Sequence, residues 1–271
     1  MSKLNNSEMS FLDHLEELRW HIVRSFVVVM ILAVLAFIFK SFVFDTVIMG
    51  PSRPDFFTNR IFCLLATRFD LPALCINQEQ LAFQNISMSG QFTMHIWVAF
   101  VVGAVVAFPY VFWEFWRFVR PALYENELRH SRGAVLATSM LFSMGILFSY
   151  YLIAPLSVYF LGGYQVSPNV ENIINFGSYV STIASIVLAG GVMFELPVFI
   201  YFLSKAGLVS VPFLKKYRRH AIVVSFALAA VITPPDVISQ IMVCLPLIVL
   251  YEVGIVIAKR VEVKREKEEM A

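Results

Sequence analysis

The 271-residue sequence predicts an all-α integral membrane protein of six transmembrane helices, and two observations predict it. Hydrophobic residues make up 59% of the chain and charged residues only 15%, against about 45–50% and about 25% in soluble domains, so there is too little charge to cover a globular surface. The apolar residues are also gathered into runs near the roughly 20 residues that a helix needs to cross a hydrocarbon core. The same composition excludes disorder, and three cysteines exclude a disulfide scaffold. A net charge of +2 gives no reason to expect nucleic acid.

The elements follow in order along a single membrane domain, 1–271. Ser10 and Asp13 are spaced as a capping box, and Phe11, Leu15, Leu18 and Ile22 then fall on one stripe, so 10–21 is an amphipathic segment that lies along the interface. Its acids Asp13, Glu16 and Glu17 read either as the solvated side of an anchor or as a binding surface. The first span is Ile22–Phe44, and a long loop, 45–92, follows it. The second span is Thr93–Phe112, the third Ala134–Tyr159, and the fourth Tyr179–Leu203, interrupted only by Glu195. The fifth and sixth are short, Ala221–Ile232 and Val237–Ala258, and are separated by Thr233-Pro234-Pro235-Asp236, where two prolines forbid a continuous helix. Pro109, Pro155 and Pro246 kink the bundle, which is expected to be cup-shaped. A charged tail, 259–271, closes the chain.

Six spans put both ends on one side, and the basic residues say which. Seventeen of the 21 Lys and Arg fall in the N-terminal segment, the second and fourth loops and the tail. The other four, Lys40, Arg53, Arg60 and Arg68, belong to the first loop. By the positive-inside rule both termini are cytoplasmic, and 45–92 is an outer loop. The polar start and the absence of a small-residue cleavage site argue against a signal peptide, and no internal repeat is visible.

The chemistry-bearing residues are few. The loop Trp113–Arg132 carries Glu114, Glu125 and Glu127 on an otherwise basic side, and such carboxylates match paired guanidinium groups in planar two-point geometry. Glu195, followed by Pro197, is an ionisable residue inside a span and hence a functional candidate. Its bland alternative is a protonated side chain bonded to a neighbouring helix. The five histidines read as interfacial. Cys63 and Cys75 share the outer loop and are either a disulfide or two buried thiols, while Cys244 reads as core packing. Asn85-Ile86-Ser87 matches the glycosylation pattern, a weak signal. No nucleophile, metal-binding or phosphate-binding signature is present, so neither an enzyme nor a cofactor is expected. A proton-coupled secondary transporter using Glu195 is the alternative, but such carriers ordinarily have several intramembrane ionisable groups.

Four stretches together resemble one family. They are Ser10-Phe11-Leu12-Asp13-His14-Leu15-Glu16-Glu17-Leu18-Arg19; Pro109-Tyr110 through Phe118-Val119-Arg120-Pro121-Ala122-Leu123-Tyr124-Glu125-Asn126-Glu127; Gly191-Val192-Met193-Phe194-Glu195-Leu196-Pro197-Val198; and Thr233-Pro234-Pro235-Asp236-Val237-Ile238-Ser239-Gln240, followed by Leu245-Pro246 and Tyr251-Glu252-Val253-Gly254. In order and spacing they are similar to TatC, the multispanning receptor of the twin-arginine protein translocase. The resemblance implies a receptor in the bacterial cytoplasmic (inner) membrane that binds the Arg-Arg signal peptides of folded precursors. It also implies TatA-type single-span partners, joined in some members of the family by a TatB-type one, export driven by the proton-motive force, contact with membrane lipid, and a homo-oligomer within the translocase. It places signal-peptide binding on Glu17 and Glu127, with Phe118 and Arg19 beside them. Glu195 and Gln240 match buried polar or partner-docking positions, and Pro51, Pro109 and Asp236 match structural ones. The loop from Phe44 to Gln91 is longer than the family pattern, with its cysteines a local addition, and Arg117 and Arg120 add positive charge that either shields Glu127 or pairs with Glu114 and Glu125.

Overall fold

The computed structural model describes residues 11–71, 75–78, 81–119, 131–167, 169, 172–232 and 237–269. These are overwhelmingly helical, as a chain in hydrocarbon must be when its backbone groups have no water to bond. Five helical stretches are long and apolar enough to cross a membrane: Leu15–Ile38, Gly90–Val119, Val135–Gly163, Phe176–Lys205 and Gln240–Arg265. The chain is an all-α, multi-pass membrane protein. It divides into two compact units, one formed by Met1–Phe39 and His95–Met140 and the other by Lys40–Met94 and Leu141–Ala271.

The first unit is built around α1 (Phe11–Ile38) and α3 (Gly90–Val119), α3 joining it from His95 onward. The amphipathic segment is not separate from the first span: α1 runs through both without a break and ends at Ile38, six residues short of the expected limit. Ala99, Gly103 and Ala107 recur every fourth residue on α3, all buried, and Ala33 and Ala36 are buried on α1. A Cβ on Gly103 would lie 2.6 Å from the Ala33 nitrogen and 2.9 Å from the Val29 carbonyl, so only glycine lets the two backbones touch there. Phe37 stacks on His95 with ring centroids 3.8 Å apart, and His21 meets Glu114. Partner numbers fall on α3 as they rise on α1, so the two helices are antiparallel. α3 also continues beyond Phe112 to Val119, so the expected loop Trp113–Arg132 is helical in its first third. Pro109, inside α3 and exposed, does not end the helix.

The second unit begins with a single π turn, Phe42–Ile48, and a 3₁₀ turn, Gly50–Ser52. The long loop then holds a helix of its own, α2 (Phe57–Phe69). Cys63 on α2 is disulfide-bonded to Cys75. Buried Asn59 donates to the carbonyls of Pro51 (3.3 Å) and Arg53 (2.8 Å), and buried Asn77 donates to those of Pro51 (3.4 Å) and Pro155 (3.0 Å). These bonds pin the loop to the third span and give buried Pro51 its structural place. Two-residue strands β1 (Phe83–Gln84) and β2 (Ile174–Asn175) pair in parallel, Phe83 opposite Ile174, and join the loop after the first span to the loop after the third.

The third span comprises α4 (Ser131–Phe148), a π segment (Ser149–Ile153) and α5 (Ala154–Gly163), with Pro155 in the first turn of α5. The fourth is split into α6 (Phe176–Phe194) and α7 (Leu196–Lys205). α8 (Val211–Lys216), α9 (Arg218–Ile232) and α10 (Val237–Glu269) complete the chain. The expected fifth span lies in α9, whose 15 residues cover only about 22 Å at 1.5 Å per residue. The sixth was expected to be short and is instead the longest helix, 33 residues. The charged tail, rich in Lys, Glu and Arg, consists of good helix formers and continues it to Glu269. One core cluster joins Ile153, Ile186, Ala229, Val243, Cys244 and Leu247; another joins Ile200, Val211, Leu214, Ile255 and Ala258.

Candidate functional site

The start of α1 and the end of α3, both in the first unit, gather most of the described candidate residues. Glu17 is half-buried and Arg19 is exposed, and Arg19 pairs with Glu16 at 3.1 Å on the open side of the helix. One turn after Glu17, His21 is buried. Its Nδ1 is bonded to Oε2 of Glu114 on α3. Glu114 is 1% exposed, so its carboxylate has left water and needs partners to be tolerated. It has them on both oxygens: Tyr110 donates its hydroxyl to Oε1 at 2.9 Å, and the Arg117 guanidinium stands 3.8 Å from the same oxygen. Arg117 in turn lies over the Trp113 ring, 5.0 Å from its centroid. Pairing with Glu114 is one of the two roles expected for Arg117; Glu127, on which the other depends, lies outside the described residues.

Phe118 follows Glu114 by one turn of α3 and sits half-buried, its ring meeting that of His21 edge-on at 6.1 Å. Spacing explains the grouping. Glu17 and His21 are four apart on α1, and Tyr110, Glu114 and Phe118 are four apart on α3, so each set shares a face. Glu17, Arg19 and Phe118 are thereby carried on two helix ends joined at His21. Glu127 and Asp236 lie outside the described residues.

Reasoning from sequence alone missed His21 and Tyr110 and left Glu114 in a loop. The signal that finds them is the four-residue spacing Tyr110–Glu114–Phe118, which is informative once Trp113–Val119 is treated as helix.

Glu195 belongs to the second unit and is built differently. It is the junction between α6 and α7, because Pro197 has no amide to give back to a preceding turn. The side chain is buried, facing the α4 region near Phe142. Neither carboxyl oxygen of Glu195 has a hydrogen-bond partner among the described residues. Close packing surrounds it: Gly190 leaves no room for a Cβ against Ser149, and a Cβ on Gly145 would come within 2.8 Å of Phe194. Gln240, near the start of α10, donates to the Phe226 carbonyl on α9 at 3.2 Å and ties those two helices. No cluster of three or more His, Cys, Asp or Glu side chains among the described residues is placed to hold a metal ion.

Comparison with known proteins agrees with this architecture. Residues 13–246 match the model of the family described as Sec-independent protein translocase protein (TatC). The chain is 38% identical over 265 residues to the Sec-independent protein translocase protein TatC of Blattabacterium sp. subsp. Periplaneta americana (strain BPLAN), covering 97% of this chain and 100% of that one. It is 34% identical over 259 residues to the protein of the same name from Desulforapulum autotrophicum, covering 96% of this chain and 87% of the relative. Two crystal structures of the twin arginine translocase receptor TatC, the second in DDM, superpose with TM-scores of 0.66 and 0.70 at 29% identity, over 92% and 90% of this chain and 99% of theirs. The chain belongs to the TatC family of Sec-independent protein translocase components, which are transport proteins.

Proposed function

We propose that this chain is the receptor that recognises twin-arginine signal peptides for the translocase. The observation that carries the reading is the joining of the α1 and α3 ends at His21, which presents the Glu17 carboxylate and the Phe118 ring on adjacent helix ends. Carboxylates there meet the signal guanidiniums in paired geometry, and Phe118 offers an aromatic surface to the residues beside them. Glu127 is the second carboxylate of the site. The basic residues fix the orientation, with both termini cytoplasmic and six spans, α9 being the fifth, in the inner membrane. Its short length is accommodated by local bilayer thinning and by packing against α10. Glu195 and Gln240 serve the docking of TatA-type and TatB-type single-span partners, which use the proton-motive force to export folded precursors. An unpartnered buried carboxyl group stands ready for a polar side chain on an incoming helix.

The test is photocrosslinking of a twin-arginine signal peptide to the solubilised full-length protein. Crosslinking is expected to fall at least about tenfold with Glu17→Ala or Glu127→Ala, the scale of a lost charge-assisted bond, and with a Lys-Lys peptide. Crosslinking that ignores both substitutions, or that is equal for the two peptides, removes the site assignment.

A further inference from the structure

We propose that His21 and Glu114 are positioning residues that give the receptor its preference for arginine over lysine, an inference that rests on the receptor reading above. Between the Phe37–His95 stack at one end and the His21–Glu114 pair at the other, the contact between α1 and α3 is made of small side chains. At Ala33 and Gly103 the backbones touch, and the buried neighbours Ala36, Ala99 and Ala107 add smooth surface. Such packing brings helices together without strongly fixing their rotation or register. A buried hydrogen-bonded pair does fix them, because displacement leaves Oε2 of Glu114 and the His21 ring nitrogen without each other in a place water does not reach. His21 and Glu114 are 6% and 1% exposed, are bonded to each other across the two helices, and are further held by Tyr110 and Arg117.

What the pair fixes is found one turn away on each side. Glu17 precedes His21 by four residues and Phe118 follows Glu114 by four, and the two helices run antiparallel, so Glu17 and Phe118 come to the same level. The edge contact of His21 with Phe118 sets the ring as well. Arginine profits from a fixed carboxylate, since a guanidinium bonds through two parallel N–H groups and loses one of them when the carboxylate turns. Lysine presents a point charge and tolerates the turn. Loosening the pair therefore erodes arginine binding and leaves lysine binding nearly intact.

The experiment measures binding of labelled Arg-Arg and Lys-Lys signal peptides to the full-length protein in nanodiscs. Four variants are compared with the parent: His21→Ala, Glu114→Gln, the double variant His21→Phe with Glu114→Leu, and Glu17→Ala. The double variant replaces the bonded pair by apolar packing of similar volume, an exchange that buried pairs commonly tolerate, so it keeps the test valid if His21→Ala does not fold. His21→Ala and the double variant are expected to weaken Arg-Arg binding by about tenfold, the worth of a charge-assisted bond, with Lys-Lys binding changed less than about twofold. Glu114→Gln, which still accepts from Tyr110 and bonds to His21, is expected to restore most of the discrimination. Equal losses for both peptides, or unchanged Arg-Arg binding in the double variant, overturn the positioning role. Glu17→Ala separates the two proposals. If it abolishes Arg-Arg binding while the His21 variants do not, only the positioning inference fails; if it has no effect, the receptor surface fails and this inference with it.

Discussion

Glu114 and Glu195 are both buried glutamates in apolar helices, and they are buried in opposite ways. Glu114 accepts from Tyr110, is bonded to His21 and has Arg117 close by, so every demand of its carboxylate is answered within the first unit. Glu195, in the second unit, has neither oxygen answered among the described residues, although it is 6% exposed. A carboxylate taken out of water is tolerated when paired, and when unpaired it is costly and stays neutral by keeping its proton. The difference separates two kinds of buried acid in a membrane protein. On the roles proposed above, the satisfied one holds helices in register and the unsatisfied one is kept against its cost for a partner helix.

The sharpest way to break the comparison is to remove the satisfied acid. Glu114→Ala strands His21 and the Tyr110 hydroxyl in the α1–α3 contact and is expected to cost about 3–5 kcal/mol, the range for breaking a buried pair by removing one member. Thermal unfolding in detergent checks this. A loss below about 1 kcal/mol would mean that water or a shifted Arg117 replaces the carboxylate, and the pair would then not hold the helices.

Glu195→Gln should behave differently. Glutamine has the same shape and no charge, and among the described residues the Glu195 carboxyl has no partner for it to lose. Stability is expected to change by less than about 1 kcal/mol, in either direction, because a neutral amide in the same place carries a similar desolvation cost. Export of a twin-arginine precursor in cells is expected to fall at the same time. A variant that unfolds readily would show that Glu195 makes a structural bond, and the contrast with Glu114 would disappear.

The membrane-crossing helices are legible in the sequence because a long apolar run has few other destinies. What was not legible came from partners distant in sequence. The stretch from Trp113 to Val119 mixes charges with aromatics as a loop does, yet it is helical, and its Glu114 bonds to His21, 93 residues earlier. α2 was hidden for a related reason. Its buried side holds Thr58, Asn59 and Ala66, while Phe57, Ile61, Leu64 and Phe69 point outward, so the apolar stripe is on the side that the reader of a soluble helix would call the core. The break at Glu195 traces to Pro197 two residues on, a local property of the sequence, since a missing amide acts where it stands. The β1–β2 pair, two residues a side, leaves no periodic trace at all.

Glu16 supplies the third case and the smallest effect. It too is paired, with Arg19 at 3.1 Å, but both side chains are 64% exposed, so water competes for each charge and the pair gives up rotamer freedom to form. Glu16→Ala is expected to change stability by about 0.5 kcal/mol or less. It also frees Arg19, a residue beside the proposed signal-peptide site, which allows a second measurement on the same protein. If the Glu16–Arg19 pair holds Arg19 away from the incoming guanidiniums, Glu16→Ala weakens Arg-Arg peptide binding through repulsion, and the loss shrinks as salt is raised because exposed charges are screened. If binding is unaltered at low salt, Arg19 takes no orientation from Glu16. The register of the site then depends on the buried pair alone, since exposed and buried glutamates on the same two helices would differ in what they hold as well as in how strongly they hold it.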